Sequence, residues 1–210
     1  MYKGDDHIMQ AVFLDKDGTL IEDVPYNVDP QQIKLTSGAI EGLLLLQQAG
    51  YKLIVITNQS GVARGYFPES ALVGVEERLC QLLATEGIYL AGFYYCPHHP
   101  DGVVPEFTLV CDCRKPAPGL LLRAAGEHNI DLRSSWFIGD ILNDVEAGLC
   151  AGCKTVLLDN GNETEWEFSA QRTPDFIVTD LMEAAQVILS GDENPVSRGT
   201  ALPYPHLGGR

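Results

Sequence analysis

Positive charge is what this chain has least of. Its 210 residues carry 14 Lys and Arg against 29 Asp and Glu, a formal net charge of −15. A surface of that sign repels nucleic acid and anionic membranes, so neither is expected as a partner. If such a chain binds phosphate it needs local cations: a divalent metal, a Lys or Arg, or a set of backbone N–H groups. Long apolar runs are missing too. The longest, "IYLAGFYYC" at 88–96, is far too short to span a bilayer. The opening "MYKGDDHIMQ" is polar and acidic and lacks the apolar stretch of a signal peptide. The cytoplasm is therefore the expected compartment. There the 6 cysteines read as metal ligands or buried thiols rather than disulfides. No internal repeat is visible, and a monomer is expected.

What is present is a rhythm of strands and helices. With 45% hydrophobic residues the chain can bury one core and is marginal for two. Continuous apolar runs at 11–15 ("AVFLD"), 51–57 ("YKLIVIT"), 92–96 ("GFYYC"), 135–140 ("SWFIGD"), 154–159 ("KTVLLD") and 175–179 ("DFIVT") read as buried strands. Between them lie helices predicted at 37–49, with Ser37 as cap, at 68–87, at 118–128, briefly after 140, and finally up to about Leu189. This alternation predicts an α/β fold: a doubly wound, mostly parallel sheet covered on both faces. Residues 1–190 are expected to form a single domain, with the loop 96–113 inserted. No segment is long enough for a separate cap domain. Residues 191–210, "GDENPVSRGTALPYPHLGGR", have no periodicity and read as a mobile tail.

In such a sheet, ligands bind at the carboxyl ends of the strands. The polar residues there are Asp15, Asp17, Thr57, Asn58 and Asp140. In "FLDKDGTL", Asp15 and Asp17 lie two apart just beyond a strand, and carboxylates that close repel unless a cation or a proton lies between them. Taken alone, the stretch also fits a strand cap followed by an Asp-Gly turn. "FIGDILND" adds Asp140 at the same sheet edge and Asp144 one helical turn on. Three acids there suit Mg²⁺, a hard ion that keeps waters and accepts substrate phosphate. "CRKP" supplies Arg114 and Lys115.

The ordered set "DKDGT", the Thr of "ITNQS", the Lys of "CRKP" and "GDILND" resembles the haloacid dehalogenase-like phosphatases. The resemblance runs from about Ala11 to Leu189. It implies that Asp15 attacks phosphorus and forms an aspartyl-phosphate. Asp17 would protonate the leaving oxygen and then activate water. The Asp15 carboxylate, the Asp17 backbone carbonyl and the Asp140 carboxylate would hold Mg²⁺, with Asp144 orienting from behind. Thr57 and Lys115 would stabilise the transferring phosphoryl group.

The stretch "FYYCPHHPDGVVPEFTLVCDCRKPAPG" concentrates three cysteines, two histidines and a basic pair. Cys96, His98, Cys111 and Cys113 make a closed tetrahedral Zn²⁺ set, structural because no position is left for water. His99 is the alternative imidazole and otherwise reads as solvent-facing. A thiol cluster or loop disulfide is the metal-free alternative. Cys80 reads as core. Cys150 and Cys153 read as close packing rather than a redox pair.

The segments "ITNQSGVARGYF", "YYCPHHP" and "CDCRKPAPG" resemble the heptose bisphosphate phosphatases, and less closely the histidinol-phosphate phosphatases. That resemblance implies a small phosphorylated sugar as substrate. It places substrate contacts at Asp23, Val24, Pro25, Tyr26, Asn58, Gln59, Ser60 and Arg114. Two positions depart from the pattern: Ile141 stands where the family has a base, and Val24-Pro25-Tyr26 where it has His-Gly-Tyr. A phosphomutase would need a cap to exclude water. A zinc-stabilised phosphosugar-binding protein would be expected to lack one of Asp15, Asp17, Lys115 and Asp140.

Overall fold

The computed structural model describes residues 8–191. Six strands, β1 (Ala11–Leu14), β2 (Lys52–Asn58), β3 (Leu90–Cys96), β4 (Trp136–Gly139), β5 (Lys154–Leu158) and β6 (Phe176–Val178), form one sheet. Its order is β3-β2-β1-β4-β5-β6, and every pairing is parallel. Strand order reverses between β1 and β4, so the crevice for ligands opens at their carboxyl ends.

The apolar runs are continuous because successive side chains serve opposite faces. In β1, Val12 and Leu14 pack with one core cluster and Ala11 and Phe13 with another. The first face is covered by α1 (Ala39–Gln48), α2 (Ala71–Thr85) and α5 (Leu181–Ser190). The second is covered by α3 (Gly119–His128) and α4 (Leu142–Ala151). Fully buried side chains such as Phe13, Leu14 and Phe137 each contribute roughly 1.5–3 kcal/mol by leaving water. The segments 15–38, 97–118 and 159–175 between elements carry no layer of their own, so the fold has no large cap.

Two expectations fail on local geometry. Ser37 does not cap α1. Gly38 holds the N-cap position at φ 72, without any side-chain cap bond. A Cβ there would come within 3.1 Å of Met182, because α1 and α5 pack closely; at Gly42 it would come within 2.3 Å of the Leu181 carbonyl oxygen. Cys80 is exposed, not core. The buried stripe of α2 is Leu72, Val75, Leu79 and Leu83, and Cys80 lies about 100° round the helix from Leu79. Cys153 is buried as packing requires, whereas Cys150 is exposed. Among the described residues no helix is long and apolar enough to cross a membrane. Of the tail predicted at 191–210, Gly191 closes α5 in the left-handed region, and the remainder lies outside the described residues.

Candidate active site and metal centres

Asp15 follows β1 directly, its N–H donating to the Ile138 carbonyl oxygen of β4 at 2.9 Å. The chain then turns at Gly18 with φ 81. Only glycine fits: a Cβ at 18 would lie 2.1 Å from Asp140 Oδ2 and 2.4 Å from Asn162 Nδ2. Asp140 ends β4 at the same edge. Asp144, in the first turn of α4, packs so tightly over Gly139 that a Cβ there would be 2.3 Å from its own. Carboxylate oxygens of Asp15, Asp140 and Asp144 lie within 4.8 Å of one another, and all three residues are buried. The acid trio thus contains Asp144, while the Asp17 carboxylate turns away.

One lysine is the counter-ion to two of these acids. Lys115 Nζ pairs with Asp15, lies 2.6 Å from Asp144 and donates to the Ile56 carbonyl oxygen at 3.2 Å. Its backbone is clamped by Asn58, which accepts its N–H at 3.0 Å and donates to its carbonyl oxygen at 3.1 Å. Burial opposes the Lys115 charge, but Asp144 and Asp15 outweigh it and hold its pKa above the ordinary range. Burial raises the Asp15 pKa well above the usual carboxylate range, against the pull of Lys115. Burial, then repulsion from Asp144, pushes Asp140 up to about 6. Buried acids held up in this way are groups that a divalent cation would relieve.

Asp17 faces the other way, between Lys16 Nζ at 2.6 Å and Gln59 Nε2 at 3.0 Å. Gln59 Nε2 also donates to Thr57 Oγ1 at 2.9 Å, which leaves the Thr57 proton free for another acceptor. Asp17, Asp23, Pro25, Tyr26, Asn58, Gln59 and Ser60 line a cavity of about 260 Å³, along with Asn27 and Gly61. Val24 is not among its lining residues and is partly exposed. Arg114 lies outside that lining, with Nη1 buried and without a hydrogen-bond partner among the described residues.

The cysteine stretch closes on itself. Cys96, Cys111 and Cys113 sulfurs are 3.0–3.5 Å apart, and His98 Nδ1 is 3.3 Å from the Cys113 sulfur and 3.7 Å from that of Cys96. A zinc tetrahedron with bonds near 2.3 Å has sulfur–sulfur edges of about 3.8 Å, so the set fits that ion after a small expansion. Burial and neighbouring thiols raise Cys96 and bring Cys113 to about 11. The structure brings His98 to this set and not His99. His99 stays at the surface, half-buried and hydrogen-bonded: its Nε2 lies 3.0 Å from Arg64 Nη2, and its Nδ1 accepts the Asp101 N–H at 3.0 Å. Burial, then Arg114 and Arg64, lowers its pKa.

Several residues of the site were missed in the sequence. Lys16 is 1% exposed, a burial that nothing in its neighbours announces. Asn162 Nδ2 donates to Asp140 Oδ2 at 2.8 Å, and Thr19 Oγ1 donates to Asp140 Oδ1 at 3.2 Å. Asn160 Nδ2 reaches the Gly18 carbonyl oxygen at 2.6 Å, and Glu163 accepts the Leu142 N–H at 2.6 Å, capping α4. The only signal was a run of turn formers, "DNGNE", after β5.

Comparison with known proteins places this geometry. A family model described as HAD-hydrolase-like matches residues 112–184. A Yersinia pestis D-glycero-β-D-manno-heptose-1,7-bisphosphate 7-phosphatase is 40% identical over 179 residues, 85% of this chain and 94% of that protein. The chain belongs to the haloacid dehalogenase-like hydrolases. It is therefore a phosphatase, a phosphoric monoester hydrolase. Among solved structures, a protein from Mesorhizobium loti described as a HAD-like phosphatase superposes with a TM-score of 0.76 at 33% identity, covering 87% of each chain. The D,D-heptose 1,7-bisphosphate phosphatase of B. bronchiseptica, complexed with magnesium and phosphate, superposes with a TM-score of 0.71 at 29% identity. It covers 88% of this chain and 100% of that one.

Proposed function

We propose that this hydrolase removes the 7-phosphate of D-glycero-D-manno-heptose 1,7-bisphosphate through an aspartyl-phosphate on Asp15. The observation that carries the chemistry is the buried Asp15, held beside Asp140 and Asp144 by Lys115 at the carboxyl edge of a parallel sheet. The substrate follows from the names of relatives such as the Yersinia pestis protein. Residues 1–190 act as one phosphatase domain in this reading.

A carboxylate oxygen of Asp15 attacks phosphorus, and the bond from phosphorus to the sugar oxygen breaks. Asp17, on the cavity wall, gives its proton to that oxygen. It then takes a proton from the water that attacks phosphorus and frees Asp15. Lys115 and the Thr57 hydroxyl meet the equatorial phosphoryl oxygens, where negative charge builds up. Mg²⁺, when bound by the Asp15 and Asp140 carboxylates and the Asp17 carbonyl, neutralises phosphate charge. Asp144 keeps Lys115 in place. Zn²⁺ fits Cys96, His98, Cys111 and Cys113 and fixes the loop from which Arg114 and Lys115 emerge. The second phosphate of the substrate, which stays behind, pairs with Arg114 and Arg64. Each has a buried nitrogen without a hydrogen-bond partner among the described residues.

The test is phosphate release from a panel containing both anomers of heptose 1,7-bisphosphate, histidinol phosphate and common sugar monophosphates, with and without Mg²⁺. A heptose bisphosphate is expected to give the highest kcat/KM. A monophosphate that outperforms both anomers would sink the substrate assignment, and Mg²⁺-independent turnover would sink the metal assignment.

A further inference from the structure

The cavity beside Asp17 has an exposed tyrosine, Tyr26, on its wall, and a second, Tyr66, lies outside the lining against the first; core packing explains neither. Tyr26, on its wall, has φ 56, the left-handed region that bulky side chains avoid. Backbone strain of this kind persists where surrounding contacts enforce it and is concentrated at functional sites. The Tyr26 ring meets Tyr66 edge to face, with centroids 4.6 Å apart and an interplanar angle of 78°. Tyr66 comes from a different loop, after β2. Its N–H donates to the Gly61 carbonyl oxygen at 2.9 Å, and the next residue, Phe67, is buried against Val62 and Leu72. Both rings are thus held at their roots, yet Tyr26 is 49% and Tyr66 60% exposed.

We infer that Tyr66 is a specificity-determining residue, which with Tyr26 forms an aromatic wall for the sugar ring of the substrate. The inference rests on the sugar-phosphate reading above. A pyranose has an apolar C–H face and a rim of hydroxyls. The apolar face suits an exposed aromatic surface, while Asp23, Asn27 and Ser60 of the same cavity offer partners to the hydroxyls. A fold without a large cap has no second layer to grip the leaving group. Two loop tyrosines supply that grip from within the core domain, and they favour ring-bearing phosphates over small linear ones.

The test compares Tyr66→Ala, Tyr66→Phe and Tyr66→Leu in the full-length Mg²⁺-loaded enzyme. The readout is the ratio of kcat/KM for the best sugar phosphate to that for acetyl phosphate. The ratio should fall about tenfold in Tyr66→Ala, equivalent to about 1.4 kcal/mol. The loss should appear in KM for the sugar, and Tyr66→Phe, which keeps the ring, should restore it. Should the alanine variant fail to fold, Tyr66→Leu keeps bulk without a ring and is expected to lose most of the ratio. A ratio within twofold of wild type in Tyr66→Ala, or a leucine variant as selective as the phenylalanine one, overturns the inference. If the wild type prefers a sugar phosphate other than heptose bisphosphate, the heptose assignment falls and the ratio is measured with that sugar. If it prefers acetyl phosphate to every sugar phosphate, both fall.

Discussion

Two clusters of metal-type ligands stand at the same end of the sheet, and they balance their charges differently. In the acid cluster of Asp15, Asp140 and Asp144, a buried lysine already supplies a counter-ion. In the thiol cluster of Cys96, Cys111 and Cys113 there is none: the sulfurs face one another and His98, and ionisation of Cys96 and Cys113 is suppressed. The first can stay folded while an ion comes and goes, as a catalytic centre must. In the second, hydrogen bonds from the other thiols and from the Arg114 N–H favour a thiolate at Cys111, but holding three thiolates together would take a bound cation. The same contrast separates an exchangeable ion from a permanent one.

The largest effect should come from Asp15→Asn, which exchanges the nucleophile for an amide. Turnover should drop by at least about a thousandfold. The melting temperature should change little, because Lys115 keeps Asp144 as a partner. Substantial phosphate release by the purified variant would end the covalent mechanism.

Next comes Cys111→Ser. Wild-type protein should contain about one zinc per chain, and the variant none. Loss of a loop-closing ion worth about 3 kcal/mol lowers the melting temperature of a domain this size by roughly 6–12 °C. Elemental analysis that finds no zinc in wild-type protein, purified under reducing conditions without chelator, would leave the thiol cluster as packing alone. Lys115→Met makes the complementary break. It strands two buried carboxylates and should cost about 3–5 kcal/mol in metal-free protein. Added Mg²⁺ should then raise its melting temperature more than that of wild type. Equal Mg²⁺ responses would mean that Lys115 is not the built-in counter-ion.

A smaller effect is expected from pH. Asp140, with its pKa brought to about 6 by burial, must lose its proton before it can hold a cation. Between pH 7 and pH 5 its ionised fraction falls about tenfold, and Mg²⁺ affinity should fall with it. Folding stability in the absence of metal runs the other way. A carboxyl whose pKa is raised in the folded state stabilises the fold below its unfolded pKa near 4, and that contribution is lost as pH rises through about 6. Calorimetric Mg²⁺ titrations at the two pH values decide the matter, and pH-independent affinity would refute the role given to Asp140.

The sequence revealed the parts that depend on local pattern. All six strands were legible as apolar runs, and the acids at the ends of β1 and β4 as interruptions of those runs. The Cys/His spacing marked a cluster before any fold was known. What remained hidden depends on partners distant in the chain. Gly38 rather than Ser37 caps α1 because α5, more than a hundred residues later, packs against that corner. Cys80 falls just outside the buried stripe of α2, a difference of one position in a helix of mostly apolar residues. Lys16 looks like a surface lysine within "DKDGT" and is buried against Asp17. Asn160, Asn162 and Glu163 read as an ordinary turn, yet the chain after β5 doubles back over the site.

That returning segment carries the smallest effect. Asp140 is steadied by two donors, Thr19 on Oδ1 at 3.2 Å and Asn162 on Oδ2 at 2.8 Å. The Asn162 bond is the shorter, and it reaches a carboxylate oxygen beside the Gly18 turn, where a Cβ at position 18 would clash with both partners. A hydrogen bond to a charged group contributes about 1.5–3 kcal/mol when nothing replaces it. Here water can enter the space that a shortened side chain leaves, so a part of that is recovered. Asn162→Ala should therefore weaken Mg²⁺ binding by roughly threefold to tenfold, with a smaller fall in kcat at saturating Mg²⁺. Asn162→Asp should weaken it through a different cause, because a further carboxylate beside Asp140, added to that of Asp144, raises the Asp140 pKa further and makes the loss steeper as pH falls. If both variants bind Mg²⁺ as tightly as wild type, Asn162 only closes the loop over the site. The acid cluster would then be held by Lys115, Thr19 and a backbone N–H on Asp140, still with the built-in counter-ion that the thiols lack.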